Sequence, residues 1–302
     1  MDVTKLEQIL ELAKTKSKKR LVAAYANDAH TIEAVYNAVT AGIVDATLVG
    51  DEATIVAICK EHEFDVTKFC IVQEADENKA SSVAVELINK GQGDMLMKGL
   101  LSTDKYMRAI LNKENGLMSS PKSVLSHITV IEANNYHKLI ICGDVAIIPA
   151  PDFNQKVAIT GYLIKTAQSL GIATPKVAIL AATEQVLPGM QACVDAAMIS
   201  KMSERGQIKG AVIDGPMGLD IALDKESAQI KKLRSEVAGD ADCILFPNIE
   251  SGNVFYKCNT KLANSKLGAI VVGAKVPCII TSRGDSAKAK MYSIALAALT
   301  AK

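Results

Sequence analysis

The sequence predicts a two-domain α/β protein with mostly parallel sheets and helices on both faces. Three observations carry this expectation. Short apolar runs alternate with helical patterns along almost the whole chain. Those runs are too short for helices and are flanked by Gly or Asp, as buried parallel strands are. The length of 302 residues, 49% of them hydrophobic, supplies core for two medium domains.

The first twenty residues read as an amphipathic helix, acidic and then basic, without the apolar core of a signal peptide. Leu21–Tyr25 follows as a buried strand, 29–41 as a helix, and Ala46–Val49 as a strand closed by Gly50. Asp51 caps a helix to about Cys59, Phe69–Val72 is a strand, and 77–90 a helix with apolar residues at 83, 84, 87 and 88. Met95–Met97 is the next strand, followed by Lys98-Gly99 and a helix near 103–112.

The alternation loosens between 114 and 152, where turn signals at Asn115-Gly116 and Ser119-Ser120-Pro121 precede three strand-like runs at 124–131, 138–142 and 145–148. A helix capped by Asp152 then runs from Phe153 to about Leu170 and stops at Gly171. Beyond it we expect strand 177–181, helix 188–204, strand 211–213, helix 224–238, strand 243–246, helix 252–264 and strands 269–272 and 278–280. A last helix spans Ser286 to about Leu299. The predicted division is residues 1–135 with 276–302 as one domain and 136–275 as the other.

Charge excludes several classes. Thirty-four Lys and Arg balance 33 Asp and Glu, which leaves no clustered positive surface for nucleic acid or membrane. The longest stretch without a charged residue is eleven, well short of the roughly 20 a bilayer span needs. A soluble, cytoplasmic protein is expected. Seven cysteines stand at least eleven residues apart and four histidines are scattered, so neither a CxxC pair nor a metal-ligand spacing is present. Reduced core thiols and no metal are expected.

In α/β sheets ligands sit at the carboxyl ends of strands. Four loops there carry chemistry. Lys98-Gly99-Leu100-Leu101-Ser102-Thr103 offers an anion a cation, free backbone N–H groups and a helix N-terminus, or else it holds a plain cap and a solvated lysine. Thr281-Ser282-Arg283-Gly284-Asp285-Ser286 adds a guanidinium fork and a glycine for close approach, or a capped turn with an Arg–Asp pair. Phe246-Pro247-Asn248-Ile249-Glu250-Ser251-Gly252-Asn253 concentrates amides, a carboxylate and a hydroxyl at one corner. Asp214-Gly215-Pro216-Met217-Gly218-Leu219-Asp220 reads as a tight loop with carboxylates as caps or ligands.

Taken in order with Leu125-Ser126-His127-Ile128, Gly143-Asp144 and Pro149-Ala150-Pro151-Asp152, these loops resemble the phosphotransacetylase family, in wording most like its phosphate butyryltransferase branch. The likeness runs from about residue 94 to 290. It implies an isocitrate/isopropylmalate dehydrogenase-like fold whose active site lies in the interdomain cleft. It also implies reversible transfer of a short-chain acyl group between coenzyme A and inorganic phosphate by direct displacement, without a permanently bound cofactor. Partners would be acyl-CoA, inorganic phosphate and acyl phosphate, in a homo-oligomer.

Carried over residue by residue, the pattern assigns Ser282 and Arg283 to catalysis. Arg283 would hold phosphoryl oxygens or the developing oxyanion, and Ser282 would hydrogen-bond in the same region or to the thiol. Binding would fall to Lys98, Gly99, Ser102, Thr103, Ser126, Asn248, Glu250, Asn253 and Gly284. One position departs from acetyl-transferring relatives, which carry an Asp seven residues beyond the Ser. Here that residue is Ala289, flanked by Lys288 and Lys290, and Asp285 and Glu250 are the alternative bases for the thiol. The two lysines fit either CoA phosphates or a solvated helix face. A phosphate acetyltransferase shares every loop. A dehydrogenase would need a nucleotide loop and an aspartate cluster, neither of which is visible, and a non-catalytic two-lobed anion-binding protein would be expected to carry an export signal.

Overall fold

The computed structural model describes residues 3–120, 122–280 and 286–302. In chain order the elements are α1 Leu6–Lys14, β1 Lys19–Ala24, α2 Ala29–Thr40, β2 Val44–Gly50, α3 Glu52–Glu61, β3 Phe69–Gln73, α4 Glu77–Asn89, β4 Met95–Lys98 and α5 Thr103–Ile110. There follow β5 Ser126–Glu132, β6 Leu139–Gly143, α6 Phe153–Ser169, β7 Lys176–Leu180, α7 Gln191–Glu204, β8 Val212–Met217, α8 Leu219–Leu223 and α9 Lys225–Ile230. The last are β9 Cys243–Leu245, α10 Ile249–Lys261, β10 Lys266–Val272, β11 Cys278–Ile279 and α11 Ala287–Thr300.

Two compact units form, Glu7–Ser123 with Gly268–Lys302 and Met1–Leu6 with Val124–Leu267. These boundaries stand beside the ones read from the sequence, at 135/136 and 275/276. In the first unit the strand order is β3-β2-β1-β4-β11-β10, parallel throughout except for the β10–β11 pair. In the second it is β5-β6-β9-β7-β8, with only the β5–β6 hairpin antiparallel. The core of the second unit gathers Ile131, Ile140, Cys142, Met217, Ile244 and Phe246.

Helix starts follow local chemistry. Asp28, Asp51, Asp76, Ser102, Asp152, Asn248 and Ser286 each cap a helix through a side-chain oxygen that accepts a backbone N–H from the first turn. At Asp152 the Gln155 side chain closes a full capping box.

Three expectations are corrected. Residues 145–148 are not a strand, because the Asp144 carboxylate accepts the N–H groups of Ala146 and Ile147 and curls the chain into a turn. The expected 214–220 loop is the end of β8 as far as Met217, with a register shift against β7 across Gly215-Pro216. The expected helix 224–238 ends at Ile230; Lys232 takes a positive φ of 55°, and the inward-facing Ala228, Leu233 and Val237 no longer follow helical spacing.

Candidate active site

Parallel pairing sets β1, β4 and β11 side by side in the first unit, so their carboxyl ends share one edge. Ala24 pairs with Lys98, and Met97 with Ile279. Lys98, the last residue of β4, is 6% exposed, and its ammonium donates to the carbonyl oxygens of Gly99 at 3.1 Å and Leu101 at 2.9 Å. The Gly99 and Leu100 N–H groups donate to the carbonyls of Ala24 and Tyr25 at 2.9 and 2.8 Å. A Cβ on Gly99 would sit 2.7 Å from the Ala24 carbonyl oxygen, so only glycine lets this loop lie against the end of β1. Ser102 then caps α5, its own N–H donating to Glu77 at 3.0 Å, and Thr103 opens the helix at the surface. The Lys105 ammonium, 2.5 Å from Glu77, and the Ser102 N–H hold the Glu77 carboxyl below its usual range.

The second unit gathers a different set. Ser126 opens β5 fully buried, and among the described residues its hydroxyl oxygen has no hydrogen-bond partner. Beside it the His127 N–H donates to Asp144 at 3.1 Å, and the His127 ring lies 3.2 Å from the Thr129 hydroxyl. Asp144 is 2% exposed; together with its bonds to Ala146 and Ile147, it ties the start of β5 to the turn after β6. Asn253 donates to the Val145 carbonyl at 3.0 Å from α10, and a Cβ on Gly252 would strike the Asp144 carbonyl. Asn248 caps α10 by accepting from the Ser251 N–H and hydroxyl, while Glu250 lies exposed in the first turn.

Each strand-end cluster therefore holds its loops in fixed shape, with Lys98, Gly99, Ser102 and Thr103 in the first unit and Ser126, Asn248, Glu250 and Asn253 in the second. Ser282, Arg283, Gly284 and the alternative base Asp285 lie outside the described residues. Ala289 donates its N–H to the Ser286 cap at 3.2 Å.

The buried thiols are not poised for nucleophilic work. Five of seven are buried, and burial pushes Cys278 up to about 12 and Cys142 higher still. No group of three or more His, Cys, Asp or Glu able to hold a metal is present among the described residues. Nor is any described helix long and apolar enough to cross a membrane.

Two residues went unassigned at the sequence level. Asp144 stood in the motif string without a role, and Lys290 shared one description with Lys288. The structure separates the two lysines. Lys288 is an exposed partner of Glu7, while Lys290 is 3% exposed. The helical period of 100° per residue turns positions two apart to opposite faces and was the available signal.

Comparison with known proteins agrees along the whole chain. The family model described as Phosphate acetyl/butaryl transferase matches residues 4–87 and 71–298. A phosphate butyryltransferase of Clostridium acetobutylicum is 46% identical over 299 residues, covering 99% of each chain. A phosphate acetyltransferase of Thermotoga maritima is 38% identical over 98% of this chain and 99% of its own. The crystal structure of a branched-chain phosphotransacylase from Enterococcus faecalis superposes with a TM-score of 0.80 at 27% identity, covering 93% of this chain and 98% of that one. With the family model and the relatives both covering nearly the full length, the chain belongs to the phosphate acetyl/butaryl transferase family.

Proposed function

We propose that the protein moves a short-chain acyl group, butyryl in preference to acetyl, between coenzyme A and inorganic phosphate. The observation that carries this reading is the full-length likeness to a phosphate butyryltransferase, at higher identity than to the acetyltransferase reported beside it. In one direction the CoA sulfur attacks the carbonyl carbon of an acyl phosphate. The carbon–oxygen bond to phosphate breaks, phosphate leaves with that electron pair, and the thiol proton passes to a base. Asp285 and Glu250 are the candidates for that base. In the other direction phosphate oxygen attacks the thioester and the carbon–sulfur bond breaks.

Both routes build negative charge on the carbonyl oxygen and carry phosphoryl charge throughout. Preorganised donors are the natural catalysts, each worth about 3–4 kcal/mol when removed. Arg283 and Ser282 take that role. In the first unit Lys98 shapes the strand-end loop that carries Ser102 and Thr103, and in the second Ser126, Asn248, Glu250 and Asn253 are the proposed binding residues. Direct displacement needs no acyl-enzyme, since approximation of the two substrates supplies much of the rate. The reading includes coenzyme A as a substrate rather than a resident cofactor, a cytoplasmic location and a homo-oligomeric state.

Incubation with acyl-CoA of two to six carbons and phosphate, with free thiol measured, tests the proposal. Phosphate-dependent thiol release, fastest with four carbons, is expected. Absence of release at every chain length would overturn it.

A further inference from the structure

Lys225, Lys232 and Arg234 line one cavity of about 540 Å³ in the second unit, between α9 and the chain that follows it. All three are exposed, and none makes an ion pair with any described residue. Lys231, next to Lys232, is the contrast, because its ammonium turns to Glu184 at 3.3 Å. Glu226 and Glu236 belong to the same stretch of chain, and neither lines the cavity. Long cations on a surface ordinarily fan apart into water. Three of one sign gathered round a single hollow raise its potential together and draw an anion to it.

The hollow has an apolar floor as well as a charged rim. Ala228 is buried, and Leu233 and Ala238 are half-buried against the core of the second unit. The backbone around them is fixed: the Leu233 N–H donates to the Ala228 carbonyl at 3.2 Å, and the Gly239 N–H to that of Ile221 at 2.7 Å. A Cβ on Gly239 would sit 2.6 Å from the Cα of Lys225, so this stretch ends hard against the start of α9. Ser235 accepts the Val237 N–H at 3.1 Å, which uses an oxygen lone pair and not its proton. A volume of this size, an apolar base and a few polar groups are the marks of a small-ligand site.

We propose that this cavity binds a small organic phosphate, with its phosphate groups among Lys225, Lys232 and Arg234 and its body on Ala228, Leu233 and Ala238. Phosphate suits the set, because a guanidinium holds two of its oxygens at once while the ammonium groups supply point charge. Bare phosphate would leave the apolar floor uncovered, which is why the ligand carries a body. A nucleotide has both parts. Two sources offer one, a free nucleoside diphosphate and the nucleotide end of coenzyme A. The cavity shares no lining residue with the strand-end cluster of Ser126, Asn248, Glu250 and Asn253, so it draws on none of the second-unit residues proposed for acyl transfer.

Calorimetric titration of the full chain with adenosine diphosphate, adenosine 3′,5′-bisphosphate and pyrophosphate tests this, in the wild type and in the triple variant Lys225→Gln/Lys232→Asn/Arg234→Gln. Lys232→Asn is chosen because asparagine tolerates the positive φ of 55° at that position. At least one nucleotide should bind the wild type more tightly than pyrophosphate, and the triple variant should weaken that binding by about 10–100-fold. The nucleotide that loses affinity names the source, and Arg234→Lys should lose less than Arg234→Gln. Equal affinity of wild type and triple variant for both nucleotides overturns the inference, and so does pyrophosphate that binds as tightly as either. The melting temperature of the triple variant and its thiol release without nucleotide should match the wild type, since the three side chains are exposed. Should the variant melt lower, amine labelling of the wild type decides: bound nucleotide must slow modification of Lys225 and Lys232 and leave the exposed Lys60 of the first unit unchanged. Equal labelling with and without both nucleotides also overturns it. Protection of Lys225 and Lys232 without any phosphate-dependent thiol release would strike the acyl-transfer reading alone.

Discussion

Lys156 and Lys290 occupy equivalent places in two helices, each four residues past its cap, one behind Asp152 in α6 and the other behind Ser286 in α11. Both are buried, and both put a cation where the helix dipole opposes it. The second unit resolves the conflict internally. Asp195 of α7 takes the Lys156 ammonium at 2.6 Å and also accepts from Gln191 at 2.8 Å, so both carboxylate oxygens are used. The first unit offers Lys290 no such group among its described residues. One lysine is paired with a carboxylate inside the fold and the other has no ion pair with a described residue, and no rule of local sequence distinguishes them. The distinction resides in what the neighbouring helix carries.

The largest effect should come from breaking the closed pair. Asp195→Asn leaves Lys156 buried and uncompensated, and a broken buried pair costs about 3–5 kcal/mol. Lys156→Met strands Asp195 in the same way. The double variant Lys156→Met/Asp195→Leu should return most of that stability, because both charges are gone and the volume is kept. Chemical denaturation of the two single variants and the double measures this, with turnover of the folded fraction near wild type in each. Single variants as stable as wild type would mean that the pair is solvated and that the contrast with Lys290 is false.

Arg283 sharpens the other side of the comparison, since it is proposed to act on charge that grows during the reaction. Arg283→Ala should lower kcat by about 10²–10³ with smaller changes in KM, and Arg283→Lys should recover only part, because an ammonium lacks the planar fork. A purely surface role predicts less than about 1 kcal/mol of stability lost and normal turnover. Measuring kcat beside the melting temperature tells the two apart.

Much of this was legible beforehand. The alternation of short apolar runs and capped helices placed β1 to β4 and α2 to α5 within a few residues of where they lie, because buried strands and side-chain caps are written locally. The failures share a cause. At 145–148 one aspartate side chain outcompeted a strand ladder for two backbone donors. At 214–217 glycine and proline read as a loop but sit in an outermost strand, where a missing N–H does no harm. In the candidate site the residue types were visible but their duties were not. Asn248 and Ser102 bond to their own helices, and the hydroxyl of Ser126, without a partner among the described residues, depends on what three-dimensional packing brings near it.

The smallest effect concerns a third arrangement of charge, neither closed nor left open. Asp240 is held by Lys176 at 2.6 Å, by the His137 ring at 2.8 Å and by Lys138 at 3.0 Å, with 22% of its side chain exposed. Partial burial pulls its carboxyl up, but the bonds from Lys176, His137 and Lys138 together outweigh burial and hold it well below the usual carboxylate range. A carboxyl whose folded value is depressed contributes stability above its unfolded value of about 3.9 and loses that contribution as pH falls towards the folded value. Lys176→Met should therefore destabilise the protein modestly near neutrality, by less than about 1 kcal/mol for a partly solvated pair. The gap from wild type should narrow as the pH falls below about 4 towards the depressed folded value of Asp240, since protonation of the unfolded chain is common to both proteins and cancels. Melting temperatures of both proteins from pH 7 to about pH 2 measure it. A gap that stays constant through that window would mean that Lys176 stabilises through the packing of its stem and not through its charge.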